Sequence, residues 1–256
     1  MNILSVEVKN PDSKTTYPWV SSLFQEGFSL DFSNITIIVG ENGVGKSTLL
    51  EAIAYSIGFP LTGGGVNHAQ IYNDLSRVMN HYGRRSLQTL SEEMADNSIK
   101  DFKIDSTLLA DNLKLKWRYK NTKGMFLRAE TFATTINLPK YSGASTMSHG
   151  EGIVGIAETI ADDGIYIFDE PESGLSPYKI VEFMAVLQNK VRNFNSQFII
   201  STHSPLLMLI PNAKVVQITQ NSIHEVDPTT TSHFTLTKRI LNNPKDFIDR
   251  YFSVDD

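Results

Sequence analysis

A glycine-rich loop near the start of the chain carries the residue types that bind phosphate. Residues 40–47 read GENGVGKS and match the pattern G-x-x-x-x-G-K-[ST] at every fixed position. The apolar residues 35–39 (ITIIV) before the loop are typical of a buried strand, and residues 47–57 after it have helical character. Glycines let successive backbone N–H groups point at phosphate oxygens, and a helix N-terminus favours anions. This arrangement predicts a nucleoside triphosphate site.

Each position of this loop has an expected role. Lys46 is expected to reach the β- and γ-phosphates, and the Ser47 hydroxyl is an expected ligand of Mg²⁺. The other expected nucleotide contacts are Gly40, Glu41, Asn42, Gly43, Val44, Gly45 and Thr48. The loop by itself predicts that the chain binds a nucleoside triphosphate, but it does not indicate which reaction or process uses the nucleotide.

A second apolar run ends in two acids. Residues 165–168 (IYIF) are typical of a buried strand, and Asp169 and Glu170 follow directly. Asp169 at the strand end is expected to hold hydrated Mg²⁺ opposite Ser47, whereas Glu170 points elsewhere and is expected to polarise the attacking water. Many strands end in acids before a turn, but the phosphate loop in the same chain gives this pair a catalytic interpretation.

A third predicted strand precedes a histidine. Residues 197–200 (QFII) are followed by STHSP, which contains His203. Alone, such a histidine is more often a turn or packing residue. The carboxyl ends of parallel strands share one rim, however, and ligands bind there. We therefore expect His203 beside Lys46 and Glu170, as a third catalytic residue.

A helix start upstream of the acidic pair is a further candidate for anion binding. Residues 147–152 read MSHGEG and open a helix-like run over residues 153–161. Ser148 is a preferred N-cap residue, and the N-terminal turn of a helix attracts negative charge. Without other motifs, this is an ordinary helix start.

The composition excludes several classes of protein. The 256 residues include 23 Lys and Arg and 28 Asp and Glu, and the formal net charge of -5 argues against a surface that binds nucleic acid throughout. The sequence contains no cysteine, which excludes disulfides, thiolate metal sites and a cysteine nucleophile. We see neither a signal-peptide pattern nor about 18 uninterrupted apolar residues, so we expect a cytoplasmic enzyme without a membrane span.

The order of elements predicts an α/β fold in a single domain over residues 1–256. Three glycines at 63–65 mark the start of an inserted helical and β lobe, roughly residues 61–147. Near the C-terminus, residues 234–252 have helical spacing that Asn-Asn-Pro at 242–244 divides into two pieces. We expect these pieces to pack on the core or on a partner subunit.

One strand of the lobe alternates apolar and basic residues. The stretch LKLKWRYK, residues 113–120, predicts a strand whose core face carries Leu113, Leu115, Trp117 and Tyr119. Residues 121–124 (NTKG) predict a hairpin turn into residues 125–127. The basic face has two interpretations, a contact with the phosphate backbone of nucleic acid or a solvated edge strand protected by lysines. We favour the second, although Arg84 and Arg85 add some support to the first.

In this order the motifs resemble those of the ABC-type ATPases. They correspond to Walker A (residues 40–47), the signature (148–151), Walker B (165–170), the D-loop (173–176) and the switch histidine, His203. The resemblance covers roughly residues 30–57 and 125–218. It is closer to small stand-alone members near the RecF and SMC branch, often described as AAA-type ATPases, than to transporters.

The resemblance implies a P-loop NTPase with an ABC-ATPase-head-like mixed sheet flanked by helices, with ATP and Mg²⁺ as ligands. It also implies a head-to-tail homodimer with two ATP molecules between the subunits. Ser148 and Gly150 of one subunit would then touch the γ-phosphate bound to Lys46 of the other. The signature SHGE departs from SGGQ, since His149 and Glu151 replace glycine and glutamine. The N-terminus of a helix from the second subunit would place further positive partial charge around the triphosphate. It could make this contact only while the γ-phosphate is present.

Two features of the family are not obvious in this sequence. Gln70 and Gln88 lie in polar, non-strand surroundings and do not match the expected Q-loop glutamine. Glu130 or Arg128, in the predicted strand MFLRAETF, is the candidate at that position. The aromatic candidates for adenine stacking are Tyr17 and Trp19.

Four functions remain open on the sequence. The favoured one is an ATP-hydrolysing dimer that drives a partner effector, in DNA transactions or anti-phage defence by family analogy. A nucleotide-binding subunit of a membrane transporter is disfavoured by the degenerate signature. A slow nucleotide-gated scaffold is disfavoured by the intact Glu170 and His203. A small-molecule P-loop kinase is disfavoured by the Asp169–Glu170 pair, and nucleic acid as a partner remains open.

Overall fold

A computed structural model of the chain describes residues 2–9, 22–24, 27–60, 109–128, 149–160 and 162–252. Most of the predicted lobe over residues 61–147 lies outside these ranges, so its limits stay a prediction. Several candidate residues also lie outside them, namely Tyr17, Trp19, Gln70, Arg84, Arg85, Gln88, Glu130 and Ser148.

A six-stranded sheet forms the centre of the described structure. Its strands are β3 (Ile35–Val39), β5 (Gly124–Arg128), β6 (Ile165–Asp169), β7 (Gln197–Ser201), β8 (Lys214–Ile218) and β9 (Ile223–Glu225). They are arranged in the order β5-β6-β7-β3-β8-β9, and every neighbouring pair is parallel except β8 and β9. All residues of β3, β6 and β7 are buried, as expected of parallel strands covered on both faces. This mixed sheet confirms the predicted α/β class.

Helices cover the two faces of this sheet. On one face, α1 (Lys46–Ile57) packs against strand residues such as Ile38 and Phe126. On the other face, α2 (His149–Thr159) and α3 (Pro177–Phe194) share a core with Ile37 and Phe168. Successive side chains of a strand point to opposite faces, which explains why Ile37 and Ile38 belong to different cores.

A three-stranded antiparallel sheet completes the α1 side. It consists of β1 (Ile3–Val8), β2 (Ser29–Asp31) and β4 (Leu113–Trp117) in the order β2-β1-β4. Within the described ranges β4 is an edge strand, and Lys114 and Lys116 are exposed on it. Charged side chains at such a position discourage pairing with another chain. This arrangement agrees with the solvated-edge interpretation of the basic stretch.

The predicted hairpin after this stretch is wrong. The strand β4 ends at Trp117, and Tyr119 is 65% exposed instead of lying on the core face. The next strand, β5, joins the other sheet and runs parallel to β6, with Gly124 opposite Ile165. The residues of β5 from Met125 onward are buried, as expected of a strand in a parallel sheet that is covered on both faces, although β5 is the terminal strand of the described sheet.

The C-terminal segment forms two helices, as the sequence predicts. Helix α4 spans Ser232–Asn242, and α5 spans Pro244–Phe252. The Thr231 hydroxyl caps α4 by accepting a hydrogen bond from the Phe234 backbone N–H. No residue of either helix is buried, and the expected packing of this segment on the core or on a partner subunit stays a prediction. None of the helices described here is long and apolar enough to cross a membrane.

Candidate functional site

The carboxyl ends of three adjacent strands bring the predicted motifs together. In the sheet, β7 lies between β6 and β3, with Asp169 and Ile38 both opposite Ser201. The segments that follow these strands therefore start at one rim. They carry the phosphate loop after β3, Glu170 after β6 and His203 after β7. This is the edge at which open parallel sheets bind ligands.

The loop over residues 40–47 has the conformation of a phosphate cradle. Gly43 and Gly45 adopt positive φ angles of 79° and 99°, and Gly45 precedes the first residue of α1. The Lys46 ammonium crosses the loop and donates hydrogen bonds to the Gly40 and Glu41 carbonyls, each at 2.9 Å. Burial lowers the pKa of Lys46, and the Glu170 carboxylate opposes that shift most strongly.

A cavity of about 500 Å³ lies beside this loop. Its walls are made by Asn42, Gly43, Gly45, Lys46, Ser47, Thr48 and Glu170. Backbone N–H groups at a helix N-terminus and an ammonium group are the donors that suit a triphosphate. The described residues therefore fit the ligand that the sequence predicts.

Asp169 lies where a metal ligand is expected. The Ser47 hydroxyl donates to Asp169 Oδ1 at 3.2 Å, and the Ser201 hydroxyl also donates to Oδ1. A hydroxyl and a carboxylate oxygen at this separation belong to the donor set that Mg²⁺ prefers. Ser201 was not singled out in the sequence, although its position at the end of β7 could have suggested it.

Arg128 forms a buried ionic cluster around Asp169. Its Nε and Nη2 both donate to Asp169 Oδ2 at 3.1 Å, and Nη2 also contacts Glu51 Oε1 of α1. The Arg128, Glu51 and Asp169 side chains are 9%, 3% and 4% exposed. Arg128 was one candidate for the missing Q-loop residue, and the structure places it against the predicted metal ligand. Glu51 was overlooked, although a carboxylate among apolar helix residues suggests a buried partner.

Glu170 has an unusual backbone conformation. Its φ of 51° and ψ of 52° are left-handed, which is uncommon for a residue other than glycine. Its N–H donates to the Ser201 carbonyl at 3.1 Å, which helps to hold this conformation. The Glu170 side chain is 41% exposed and lines the cavity, separate from Asp169. Two consecutive acids thus point to different parts of the site, as predicted.

Glu172 ties the segment after β6 to the segment after β7. Its Oε1 accepts hydrogen bonds from Thr202 Oγ1 at 2.7 Å, from the His203 backbone N–H at 2.7 Å and from the Ser204 N–H at 3.2 Å. These bonds hold the segment that carries His203 beside the segment that carries Glu170. Glu172 was not singled out in the sequence, and no local pattern revealed its partners.

His203 lies between Glu170 and a histidine of α4. Its Nε2 is 3.4 Å from Glu170 Oε1, and its Nδ1 is 3.0 Å from His233 Nε2. Burial lowers the pKa of His203, and the Lys46 ammonium acts in the same direction while Glu170 opposes it. His233 was not predicted to take part in the site.

Gly150 lies in the first turn of α2, which packs against α3. Ser148, just before this helix, lies outside the described residues. The role of both residues toward a second subunit therefore stays a prediction.

Two family models match separate segments of this chain. A family model described as "AAA domain" matches residues 21–137. A second model, described as "AAA domain, putative AbiEii toxin, Type IV TA system", matches residues 144–209. Together the two matched segments include the phosphate loop, Asp169, Glu170 and His203.

One curated relative is the "Putative ribose/galactose/methyl galactoside import ATP-binding protein 3" of Agrobacterium fabrum (strain C58 / ATCC 33970), 23% identical over 176 residues. The alignment covers 67% of this chain but only 34% of the relative. Among solved structures, the SMC head domain from Thermotoga maritima shows 15% identity and a TM-score of 0.45, covering 89% of this chain and 100% of that one. A putative metal-chelate type ABC transporter in an inward-facing conformation shows 12% identity and a TM-score of 0.46, with 93% and 88% covered.

Proposed function

We propose that the chain is an ABC-type ATPase domain near the SMC and RecF branch, and that it hydrolyses ATP with Mg²⁺ in an ATP-sandwiched homodimer that drives a partner effector. The observation that carries the proposal is the convergence of Lys46, Ser47, Asp169, Glu170 and His203 at one rim of the sheet. Each group has the chemistry that phosphoryl transfer to water requires.

The residues at this rim have different roles in the proposed hydrolysis of ATP. Lys46 and the N–H groups of residues 43–48 bind the phosphates, and Ser47 with Asp169 would hold Mg²⁺. The metal ion, when bound, neutralises charge on the phosphate oxygens. The Glu170 carboxylate faces the cavity and is not one of the proposed metal ligands. It is therefore available to orient water and accept its proton. His203 Nε2 is buried and has no hydrogen-bond partner among the described residues, which leaves it available to a phosphate oxygen.

The open cavity supports the dimer. Glu170 remains 41% exposed in the single chain, so water can reach the reacting groups from one side. A second surface would exclude that water and strengthen the electrostatic interactions inside. In our proposal the N-terminal turn of α2 from another copy, with Ser148 and Gly150, supplies this surface.

Substitution of Glu170 by glutamine tests the proposal. Glu170→Gln removes the proton acceptor but keeps the shape of the site, so turnover should fall by roughly 10²–10⁴-fold. ATP should still bind, and dimers should accumulate with saturating ATP and Mg²⁺, as measured by size-exclusion chromatography with light scattering.

Two further variants complete that experiment. Glu182→Gln, at an exposed carboxylate of α3, is the matched control and should behave as wild type. Adding Lys46→Ala to Glu170→Gln should abolish nucleotide binding and the dimer together. A Glu170→Gln protein that binds ATP but stays monomeric would contradict the sandwich arrangement, whereas unaltered turnover would remove Glu170 from catalysis.

A second candidate function is the nucleotide-binding subunit of a transporter. The observation in its favour is the match to a curated import ATP-binding protein, of which this chain covers about a third. Retention of the native protein on salt-washed membranes would favour this function. Purification of the native protein with a non-membrane partner would favour the effector-driving function.

A further inference from the structure

His203 and His233 share a hydrogen bond at the edge of the site. His203 Nδ1 and His233 Nε2 are 3.0 Å apart, and the ring centroids are 4.8 Å apart at an angle of 54°. One of the two nitrogens must carry a proton and the other must accept it. His233 belongs to the first turn of α4, about 30 residues along the chain from His203. Helix α4 thus contacts His203 directly.

The surroundings of His203 select one arrangement of protons. Lys46, Asp169, Glu170 and His233 are the charged or titratable groups that act on its ring, and burial together with Lys46 favours the neutral form. A neutral ring carries one proton, on Nδ1 or on Nε2. With the proton on Nδ1, the Nε2 lone pair would face the Glu170 carboxylate at 3.4 Å, which is repulsive. With the proton on Nε2, that nitrogen carries positive partial charge near the carboxylate without forming a hydrogen bond to it, and Nδ1 accepts from His233.

We propose that His233 is a positioning residue that holds His203 in the tautomer protonated at Nε2 by donating its own Nε2–H to His203 Nδ1. The hydrogen bond at one imidazole nitrogen determines which proton the other nitrogen presents. His203 then presents an N–H donor, rather than a lone pair, toward the cavity where the phosphates would lie. This inference rests on the proposed ATPase function, in which that donor contacts the terminal phosphate.

The tautomer itself can be measured without turnover. In protein with ¹⁵N-labelled histidine and without nucleotide, long-range ¹H–¹⁵N spectra at about pH 8 report which nitrogen of each ring is protonated. Spectra of His203→Gln and His233→Gln assign the two residues. We expect His203 to be protonated at Nε2 in the wild type and to show a weaker preference for that tautomer in His233→Ala, where only Glu170 still favours it. A wild-type His203 protonated at Nδ1 would overturn the proposal.

Kinetics supply a second readout. His233→Ala should lower kcat by roughly 10–100-fold, as is typical when a group that orients an active residue is removed. The Kd for ATP should change little, because the phosphate loop is untouched. His233→Gln keeps an amide N–H near the position of His233 Nε2 and should recover part of kcat.

The matched control is His224→Ala, at an exposed histidine of β9, which should leave kcat unchanged. Equal kcat in His233→Ala and wild type, or equal losses in His233→Ala and His233→Gln, would refute the positioning role. If the wild type binds ATP but never hydrolyses it, the proposed function fails, while the spectra still decide the tautomer. The two failures are therefore distinguishable.

Discussion

The strand-end rim and the C-terminal helix pair, α4 and α5, differ in how deeply their residues are buried. At the rim, all residues of β3, β6 and β7 are buried, and Asp169 accepts hydrogen bonds from three side chains. In α4 and α5 no residue is buried, and apolar side chains such as Leu241 and Phe252 are 71% and 68% exposed. Yet α4 supplies His233, which contacts His203 of the rim.

Because of this difference in burial, we expect the strand-end rim to be more rigid than the C-terminal helix pair. At the rim the buried charges of Arg128, Glu51 and Asp169 are paired with one another, and such a cluster is preorganised because each side chain has one favourable arrangement. Elements with few buried apolar contacts open at low free energy. The molecule therefore combines a rigid strand-end rim with a loosely held helix pair that contacts the rim through His233. Three experiments test this contrast.

The largest effect is expected at Arg128. Arg128→Ala leaves the buried Glu51 and Asp169 carboxylates without their cation, so the free energy of unfolding should fall by roughly 3–5 kcal/mol. Urea denaturation followed by circular dichroism measures this loss. The control is Lys179→Ala, which removes an exposed ion pair with Glu182 and should cost about 0–1 kcal/mol. Equal losses in the two variants would show that the cluster does not stabilise the rim.

An intermediate effect is expected from pH. The folded state lowers the pKa of His203 below its ordinary value of 6.5, chiefly through burial. Between pH 6.5 and that lower pKa the unfolded chain binds more protons than the folded one, so stability falls as pH falls. Above pH 6.5 both states are neutral at this group and the contribution is constant.

The comparison that isolates His203 uses the variant His203→Gln. Urea midpoints at pH 7.5 and 5.5 should differ more in the wild type than in this variant, and His224→Gln should follow the wild type. Parallel pH dependence of wild type and His203→Gln would mean that His203 is not buried in the neutral form.

The smallest effect is expected in α5. Ile248 is 55% exposed, so Ile248→Ala should change the free energy of unfolding by no more than about 0.5 kcal/mol. Ile167→Ala, at a fully buried position of β6, is the control and should cost about 2–5 kcal/mol. A loss above about 2 kcal/mol at Ile248 would show that α5 is packed in solution, by a second copy or by a partner.

Local patterns predicted much of this architecture. The strands at residues 35–39, 165–168 and 197–200 were located to within one residue, because continuous apolar runs bounded by polar turns have few other solutions. The convergence of Lys46, Glu170 and His203 followed from their place after parallel strands. The break between α4 and α5 followed from Asn-Asn-Pro.

The errors and omissions arose where distant segments meet. The sequence predicts a hairpin between β4 and β5. Instead, β5 joins the central sheet beside β6, where its residues from Met125 onward are buried. Glu51, Glu172 and His233 were overlooked for a related reason. Their partners lie 77, 31 and 30 residues away, respectively, and no spacing rule relates them.

The motifs of the amino-acid sequence predict the chemistry of this protein, since a glycine loop with Lys46 and Ser47, an acidic pair and a histidine are the groups expected to bind phosphate, a metal ion and water. The orientation of these groups became visible only in the folded chain. Arg128 and Ser201 hold Asp169, Glu172 holds the segment of His203, and His233 contacts its ring. Backbone periodicity acts over a few residues, whereas hydrogen bonds between side chains depend on how whole strands and helices pack.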